Sequence, residues 1–478
     1  MKQKNVLIIC SDEHARSVLG CYGHSVVQTP TLDKLAGQGV RFTRAYTPSP
    51  ICISARASIA TGTQVHEHGC WSSAEPYYGQ HESWMHRLRE RDHAVVSIGK
   101  LHFRSGRDDN GFSEEILPMY LANDGRGWPQ GLIREPLGSF DEASELAKEA
   151  GPGESTYTEY DRDITAEACR WLRRYPKVIK NKPWALFVSL VSPHFPLTAP
   201  QAFFDLYEGQ PLPETIAPGP AGLPDHPVIR EMVKFWSYDD YFDDHSRYLG
   251  QRAYFGLCSF LDDNIRQVLA ALEDSGAARD TVILYISDHG EMLGNHGFWA
   301  KSLMYEDSVG IPLIMAGEDL PVSVNDTPVS LTDLAATVED IVGVERAPAE
   351  EPWQSRSLRD IAARPDPGRF ILSQYHDGGS PTGFYMIRHD RWKYVYYAGR
   401  EPSQLFDMEA DPHELADLGE DRRYERERET MHKLLTSILD PDEENRRVFA
   451  DQARMLESYG GAAAVMAMPS FNHTPLGG

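Results

Sequence analysis

The sequence predicts an α/β fold in which a mostly parallel sheet is sandwiched by helices, followed by a smaller C-terminal α+β domain. Short apolar runs of strand length recur between residues 6 and 315, and helical patterns separate them. That alternation is typical of a parallel sheet covered on both faces. Beyond residue 365 the pattern changes to antiparallel strands and one polar helix. The change predicts two units, residues 1–365 and 366–458, and a tail of residues 459–478.

The predicted elements of the first unit are short. Apolar runs of strand length occupy residues 6–10, 94–98, 185–191, 282–286 and 313–315. Helical patterns occupy residues 31–38, 163–174 and 251–273. Two other stretches, residues 106–153 and 200–240, are rich in Gly, Pro or aromatic residues. We expect them to be insertions over the strand ends, acting either as substrate-selecting lids or as passive loops.

The second unit follows a boundary rich in Pro, Glu and Arg near residues 347–367. Residues 370–375 and 384–397 resemble antiparallel strands, and a polar helix is predicted from about residue 421 to residue 439. The tail of residues 459–478 holds Gly, Ala, Met and Pro with little charge. Such a tail could dock on a neighbouring subunit or stay disordered.

The charge balance limits the class of partner. The 478 residues include 71 acidic and 47 basic side chains, which gives a net charge of −24. Because nucleic acid and anionic membranes repel so acidic a chain, neither is an expected partner. An anionic small substrate would therefore need a local pocket of cationic side chains.

The sequence predicts a cytoplasmic protein. The apolar run at residues 6–10 is too short for the apolar region of a signal peptide. No stretch is apolar enough to span a bilayer. Six cysteines in so long a chain do not form the pattern of a disulfide framework.

Cys52 lies where a loop containing Pro50 gives way to small, helix-compatible residues. The thiol is therefore predicted at a helix N-terminus, whose free N–H groups and dipole favour negative charge. Arg56 follows one helical turn later and would return to the same face. A nucleophile precursor beside a fixed cation suits attack on an anionic ester. A buried structural cysteine with a surface arginine is the alternative interpretation.

Two predicted strands end in potential metal ligands. Asp12 follows the first strand, and Asp288 and His289 follow the strand at residues 282–286. Functional groups gather at the carboxyl ends of parallel strands. Oxygen ligands with one imidazole suit Ca²⁺, Mn²⁺ or Mg²⁺ better than a zinc thiolate site would. Taken singly, each acid could instead be a solvated or capping residue.

Several motifs together resemble the sulfatase family of the alkaline phosphatase superfamily. Cys52-x-Ser54-x-Arg56 resembles the signature whose cysteine is converted to formylglycine, with Ser54 where the commonest form has Pro. The other similar motifs are Gly99-Lys100-Leu101-His102, Pro193-His194-Phe195-Pro196, Gly297-Phe298-Trp299-Ala300-Lys301 and the segment Leu405–Glu414. The resemblance runs from residue 5 to about 420 and is nearest to choline-sulfatase-like and phosphonate-monoester-hydrolase-like bacterial members.

The resemblance implies a sulfatase-like fold and a metal site. One divalent cation, calcium with manganese and magnesium as alternatives, would be held by Asp12, the formylglycine at position 52, Asp288 and His289. Glu13 stands where many relatives have a second Asp or a Gln as a ligand.

The resemblance also implies roles in catalysis, which begins when a hydroxyl of the formylglycine hydrate attacks sulfur. Arg56, Lys100 and Lys301 would offset charge on the sulfuryl oxygens. His194, with Lys301, would protonate the leaving oxygen. His102 would take a proton from the remaining hydroxyl, which expels sulfate.

The implied partners are a small sulfate ester and a maturation enzyme that generates formylglycine. Tails of choline-sulfatase-like enzymes dock on partner subunits, so a homo-oligomer with a docked tail is expected here. Three alternatives remain open at this stage. The same residues would suit a phosphonate monoester or phosphodiester hydrolase, a metal- and anion-binding protein with an unmodified Cys52, or a hydrolase that uses the Cys52 thiol itself.

The leaving-group pocket is the least determined part of the prediction. We expect residues 374–377 and the aromatic insertions to shape it. Trp236 and Tyr238, together with Asp239, could bind a quaternary ammonium group. Three histidines are predicted to be structural despite suggestive positions: His66, His68 and His296.

Overall fold

The computed structural model describes residues 3–175, 182–217, 224–346 and 349–476. Among these residues, eight strands form the main sheet, in the spatial order Ser323–Asn325, Gly39–Phe42, Leu313–Ala316, Thr281–Ser287, Asn5–Asp12, Ala185–Pro193, Val95–Lys100 and Glu114–Met119. Leu313–Ala316 is antiparallel to both of its neighbours. The other neighbouring pairs are parallel. The predicted α/β class is confirmed.

Both faces of the sheet are buried by apolar side chains. Along the first strand, Val6, Ile8 and Cys10 join one apolar cluster, whereas Leu7 and Ile9 join the cluster on the opposite face. A strand covered on both sides must be apolar at every position, which explains its unbroken run of apolar residues. The two clusters bring together most of the buried apolar side chains of the first unit.

Helices cover the sheet and fill the connections. In chain order they are Pro30–Ala36, Cys52–Thr61, Val65–His68, Trp84–Arg89, Ala143–Lys148, Thr156–Arg174, Gln201–Phe204, Pro227–Trp236, Asp244–Ser275, Glu306–Val309, Asp333–Val342 and Leu358–Ala363. Two of them begin earlier than the sequence predicted. Ser155 and Asp243 each accept a hydrogen bond from the backbone N–H three residues later, so a capping side chain fixes the true start of both helices.

The interpretation of residues 106–153 as a pure insertion is wrong in one part. Glu114–Met119 pairs with Val95–Lys100 as the edge strand of the main sheet. An edge strand is half exposed and can carry charge and proline, and this one contains two Glu residues and Pro118. Its polar composition concealed it in the sequence.

A second sheet lies in the C-terminal unit. Its four described strands are Phe370–Tyr375, Phe384–His389, Trp392–Tyr397 and Arg400–Asp407, all antiparallel. The predicted polar helix is Glu425–Ile438, and Pro441–Ser458 forms a further helix that the sequence interpretation missed. Asp440 caps that helix and Pro441 opens it, so a start signal was present. The boundary at residue 365 stays a prediction.

The remaining elements are two small strand pairs and the tail. Ala45–Tyr46 pairs with Val329–Ser330, and Gly151–Pro152 pairs with Thr198–Ala199. The tail includes the helix Ala462–Met466 and lies against its own chain. Docking of the tail on a neighbouring subunit stays a prediction. Within the described ranges, no helix has both the length and the apolar character that crossing a membrane requires.

Candidate active site

The candidate site lies at the carboxyl edge of the main sheet. Asp12 ends the first strand, Lys100 ends the strand Val95–Lys100, and Asp288 directly follows Thr281–Ser287. Because these strands are parallel, their carboxyl ends meet on one side of the sheet. The helix Cys52–Thr61 begins on the same side. The topology thus brings together residues that are far apart in sequence.

Local sequence explains how two of these residues reach the site. Cys52 is the first residue of its helix, after Ile51 in an extended conformation. The helix is buried along its whole length, which its Ala and Ser residues allow. Gly99, just before Lys100, has a φ of +103°, and a Cβ there would lie 2.2 Å from the Ser189 carbonyl oxygen. Only glycine allows this irregularity in the strand, which directs Lys100 into the site.

Four potential ligand atoms converge at the start of the helix. The Cys52 Sγ lies 3.0 Å from His289 Nε2 and 3.6 Å from Asp12 Oδ1. His289 Nε2 lies 3.5 Å from Asp12 Oδ1 and 3.8 Å from Asp288 Oδ1. Ligand atoms of all four residues lie within 4.8 Å of one another.

The chemistry of these donors fits a divalent cation. His289 Nδ1 lies 3.0 Å from the Gly290 carbonyl oxygen, which can only accept a hydrogen bond. Nδ1 therefore carries the proton, and the lone pair of Nε2 faces Asp12 and Asp288. Two buried carboxylates beside an imidazole lone pair are a stable arrangement when a cation lies among them.

Arg56 and Lys100 bind the carboxylates of Asp12 and Asp288. Arg56 Nε donates to Asp288 Oδ2 at 2.8 Å, and its Nη2 lies 3.5 Å from Asp12 Oδ2. Lys100 Nζ forms an ion pair with the same oxygen of Asp12. Burial alone would raise the pKa of Asp12, but Lys100, His194 and Arg56 outweigh it and hold that pKa well below its usual range. The carboxylate is therefore ionised.

Arg56 makes two further bonds away from the pocket. Its Nη1 donates to the Lys100 carbonyl at 2.8 Å and to Ser189 Oγ at 2.9 Å. The described contacts of Arg56 thus fix the carboxylates of Asp12 and Asp288 and the adjacent strand ends. The role that the sequence interpretation gave to Arg56, offsetting charge on the sulfuryl oxygens, stays a prediction.

His194, Lys301 and Glu13 form a second polar group at the site. Lys301 Nζ lies 2.8 Å from His194 Nε2, and Glu13 Oε2 lies 3.3 Å from both atoms. His194 Nδ1 lies 2.6 Å from the Phe195 carbonyl oxygen, so Nδ1 carries the ring proton. Nε2 is then the acceptor for the lysine ammonium. This geometry defines the tautomer of His194.

The pKa shifts agree with that assignment. Burial, together with the charge of Lys301, holds the pKa of His194 well below its usual value, so the ring is neutral. Burial acts to lower the pKa of Lys301, but Cys52, Glu13 and Asp12 raise it above its ordinary value. Lys301 is therefore the group that holds the proton.

His102 lines the same cavity but, unlike His194, makes no described hydrogen bond through its ring. Its ring is buried, and neither nitrogen has a hydrogen-bond partner among the residues that the structure describes. Burial and the nearby Lys100 charge hold its pKa well below the usual range. A neutral ring with a free lone pair can accept a proton from a group in the cavity.

Aromatic side chains wall the other side of the cavity, which measures about 120 Å³. The Trp236 ring lies 5.5 Å from Trp128, 5.1 Å from Phe140 and 5.8 Å from Tyr238. These residues come from residues 106–153 and 200–240, so both stretches help to form the pocket as lids would. Cys52, His102, His194 and Lys301 line the same cavity.

The carboxylate in this wall differs from the one that the sequence suggested. Asp239 binds Arg247 at 2.7 Å and accepts from the indole of Trp299 at 2.8 Å, outside the lining. Asp377 lines the cavity instead. Burial raises the pKa of Asp377, while hydrogen bonds from Ser73 and the Gly378 backbone favour the ionised form. Residues 374–377, which include Asp377, were predicted to shape the pocket, but the sequence interpretation did not single out Asp377 as its acid.

Other histidines predicted to be structural have structural contacts. His66 Nδ1 receives a hydrogen bond from Gln374 at 3.0 Å, and His68 Nε2 lies 2.8 Å from Ser58 Oγ. His296 stacks on Tyr305 at 4.2 Å. None of these three rings lines the cavity beside Cys52.

Comparison with known proteins decides the family. A model of the sulfatase family matches residues 4–344. The chain belongs to the sulfatase family. A model of the C-terminal region of N-sulphoglucosamine sulphohydrolase matches residues 294–440. The expected family and its activity class, sulfuric ester hydrolysis, are both confirmed.

Two relatives show how far this similarity extends. The sulfatase chain is 30% identical over 431 residues to a choline-sulfatase of Rhizobium meliloti, which covers 88% of this chain and 83% of that one. It is 26% identical over 478 residues to an arylsulfatase of Clostridium perfringens, which covers 95% of this chain and 98% of that one. The similarity thus includes nearly the whole length of both proteins.

Solved structures show the same fold. The phosphonate monoester hydrolase of Agrobacterium radiobacter superposes with a TM-score of 0.71 at 21% identity, over 91% of this chain and 95% of that one. A structure in complex with its substrate D-glucosamine-2-N,6-O-disulfate superposes with a TM-score of 0.70 at 21% identity, over 94% of this chain and 99% of that one. These likenesses confirm the fold, with both its sheets.

Proposed function

We propose that this sulfatase cleaves the S–O bond of small sulfate esters with a formylglycine at position 52 and one divalent cation. The observation that supports the proposal most is the convergence of Asp12, Cys52, Asp288 and His289 within 4.8 Å, at a helix N-terminus that faces the aromatic cavity. We propose calcium as the cation, with manganese and magnesium as alternatives, because carboxylate oxygens dominate the site. A bound cation supplies charge stabilisation and lowers the pKa of an adjacent hydroxyl.

Formylglycine supplies what the thiol lacks. Burial, reinforced by Asp12, raises the pKa of the Cys52 thiol to about 12, so the unmodified side chain is a protonated thiol at neutral pH. That disfavours the alternative in which the thiol itself attacks. A hydrated aldehyde offers one hydroxyl as the nucleophile and a second whose deprotonation releases sulfate and restores the aldehyde.

We infer the proton transfers from the tautomers that the hydrogen-bond partners assign. Lys301 holds the proton and points at the lone pair of His194 Nε2. The sequence interpretation made His194 the acid, helped by Lys301. Because His194 Nε2 accepts from Lys301, we propose the reverse: as the ester bond breaks, Lys301 donates a proton to the leaving oxygen while His194 fixes its position. His102, neutral and without a partner among the described residues, accepts a proton from the second hydroxyl. Lys100 and Arg56 keep the ligand carboxylates ionised throughout.

Ser54 bears on maturation rather than on the folded site. It occupies the third position of the helix, whose backbone N–H has no intrahelical acceptor, so proline would also be tolerated there. Its buried hydroxyl has no hydrogen-bond partner in the described ranges. We propose that the maturation enzyme reads this residue in the unfolded chain, and that the Ser54 form is still converted.

The aromatic wall supports a cationic leaving group. Four rings and the Asp377 carboxylate surround the part of the cavity beyond Lys301, and aromatic faces with an acid bind ammonium groups. The relative at 30% identity is named a choline-sulfatase, which agrees with this chemistry.

A phosphonate monoesterase or phosphodiesterase is the second candidate. Sulfate monoesters and phosphate diesters each carry one negative charge, so the charge of the site does not separate them. Comparing kcat/KM on matched aryl sulfate and aryl phosphonate esters tests the choice. A preference for the phosphonate ester would overturn sulfate as the natural group.

Mass spectrometry of the peptide containing residue 52 tests the nucleophile. We expect formylglycine in the active protein. Active protein that contains only cysteine there would falsify the mechanism and favour either thiol chemistry or a non-catalytic metal-binding role. A cytoplasmic location and a homo-oligomeric state stay predictions that cell fractionation and light scattering can test.

A further inference from the structure

The C-terminal tail forms part of the cavity beside the catalytic residues. Four consecutive tail residues, Phe471, Asn472, His473 and Thr474, line it together with Cys52 and Lys301. The tail therefore reaches across the fold from the C-terminal unit to the site. Sequence patterns had left it as a segment without any chemical role.

Specific contacts hold the tail in that place. Gln130 Nε2 donates to the carbonyls of Val465 and Met468, at 3.4 and 3.0 Å, and Asn123 Nδ2 donates to the Pro469 carbonyl at 3.1 Å. Further along, the Tyr157 hydroxyl donates to the Thr474 carbonyl at 2.7 Å. Side chains of the first unit thus bind the tail backbone on both sides of Asn472.

Tyr157 connects the tail to the proton-transfer group. Its ring lies 5.0 Å from the ring of His473 and 6.0 Å from that of His194, edge to face in both cases. Tyr157 itself is buried and lines the cavity. The tail is therefore packed against the side of the pocket where Tyr157 and His194 lie.

The Asn472 side chain needs a hydrogen-bonding ligand. Only 9% of it is exposed, yet within the described part of the chain neither its amide nitrogen nor its amide oxygen has a hydrogen-bond partner. Burying an unsatisfied amide costs free energy. The exposed fraction of Met466, by contrast, is 62%. This tail buries a polar side chain and exposes an apolar one, the reverse of what packing alone favours.

We propose that Asn472 is a specificity-determining residue that hydrogen-bonds a polar group of the leaving alcohol, with residues 471–474 as the outer wall of the pocket. The assignment rests on the proposed sulfatase function. Since Asn472 offers both an acceptor and a donor, it recognises an alcohol that carries N–H or O–H groups. A trimethylated ammonium has no N–H to donate, so it leaves the Asn472 oxygen unsatisfied.

The test compares 2-aminoethyl sulfate with choline sulfate, which share a two-carbon sulfate ester and a cationic nitrogen but carry N–H groups in the first and three N-methyl groups in the second. Asn472→Ala separates the hydrogen-bond difference from the difference in size. In the full-length mature protein, kcat/KM should favour 2-aminoethyl sulfate by about tenfold or more, because a site built to hydrogen-bond a group discriminates strongly against its absence. Asn472→Ala should lower kcat/KM for 2-aminoethyl sulfate about tenfold and change that for choline sulfate less than about twofold.

Two variants control for general damage to the tail. Asn472→Asp keeps an acceptor oxygen and should retain the preference for the N–H-bearing substrate. Met466→Ala alters an exposed tail side chain and should change neither rate. If Asn472→Ala lowers both rates equally, or neither, the specificity role is overturned while the proposed function stands. A mature wild-type protein that hydrolyses no sulfate ester would overturn both.

A second experiment tests whether the tail acts on its own chain. A protein truncated after Ser458 is co-expressed with full-length Cys52→Ala, so that any mixed oligomer pairs an intact nucleophile with a tail from the other copy. If each tail closes its own pocket, the mixture should show no more 2-aminoethyl sulfate hydrolysis than the truncated protein alone. Restored activity would overturn the intrachain arrangement and assign the tail to a neighbouring subunit.

Discussion

The two sides of the cavity are built in different ways. The sulfate side consists of strand ends and one helix start, with buried charged residues that hold one another in place. The leaving-group side consists of loops, helix ends and the tail. It carries aromatic rings, the Asp377 carboxylate and the Asn472 amide. We expect the strand ends to position the reacting groups and the loops and tail to set the specificity. Changes on the first side should abolish activity, and changes on the second should redirect it.

The largest expected effect is loss of the nucleophile. Cys52→Ala should lower kcat on 4-nitrophenyl sulfate by at least about 10⁴-fold, because no other group on the sulfate side can replace the proposed formylglycine. Steady-state kinetics measure this. Cys21→Ala, which changes a partly exposed thiol away from the cavity, is the matched control and should remain active. Comparable residual activity in both variants would refute a role for position 52.

Removal of the divalent cation should have the next largest effect. A chelator should lower kcat about 10³-fold, since a bound cation stabilises transition-state charge by several kcal/mol. Adding back Ca²⁺, Mg²⁺ or Mn²⁺ separately identifies the metal by which one restores the rate. Asp288→Asn should make the enzyme insensitive to all three. Full activity after exhaustive chelation would exclude a catalytic metal.

Lys301 lies between the two sides, so its effect should depend on the substrate. Lys301→Ala should lower kcat about 10²- to 10³-fold on an alkyl sulfate, whose leaving oxygen needs a proton. The loss on 4-nitrophenyl sulfate should be much smaller, because nitrophenolate leaves without protonation. Lys148→Ala, which changes an exposed side chain at the end of the helix Ala143–Lys148, is the control. Equal losses on both substrates would indicate that Lys301 binds sulfate rather than acting as an acid.

A change on the leaving-group side should alter preference more than rate. Asp377→Asn should lower kcat/KM for choline sulfate about tenfold and leave 4-nitrophenyl sulfate nearly unchanged, since only the first leaving group is cationic. Asp239→Asn is the matched comparison, because that carboxylate binds Arg247 outside the lining. If Asp239→Asn shifted the preference and Asp377→Asn did not, the sequence-based choice of acid would be the better one.

The smallest expected effect is on the pH dependence of folding stability, through the buried residue Glu75. Glu75 is buried beside Gln452, with 3.3 Å between Gln452 Nε2 and Glu75 Oε2, and burial raises its pKa to about 8. Because the folded protein binds this proton more tightly than the unfolded chain does, Glu75 favours the fold at low pH. That contribution should disappear as pH rises from about 4.5 to 8.

Thermal unfolding of Glu75→Gln against wild type measures this contribution. The variant should lose part of the decline in Tm between pH 5 and 8.5, by a few degrees, because the amide does not ionise. Parallel Tm curves for the two proteins over that range would show that Glu75 does not titrate there. The activity at pH 7 should stay close to that of the wild type.

Sequence patterns predicted the sulfate side well and the other side poorly. The five apolar runs are strands of the main sheet, and all the residues expected at its carboxyl edge are present there. The motifs predicted these positions because a short stretch of sequence shows both where a strand ends and which residue follows it. Trp128, Phe140 and Tyr157 were missed, since each lies in a loop or on a helix face with no motif around it.

The missed elements have physical reasons as well. Glu114–Met119 lies at a sheet edge, where exposure allows charged residues and hides the strand pattern. The helix Pro441–Ser458 had a clear start in Asp440 and Pro441, but its polar surface gave little apolar periodicity. The sequence did not distinguish Asp239 from Asp377, because only the folded structure determines which of the two pairs with an arginine and which lines the cavity.

The sequence alone determined the alternation of strands and helices and the candidate residues for binding sulfate and a metal, because these depend on local pattern. Only the tertiary structure decided which nitrogen of His194 carries the proton, which acid faces the leaving group and where the tail lies. Those outcomes depend on contacts between segments hundreds of residues apart. Such contacts form only when the apolar core brings the segments together.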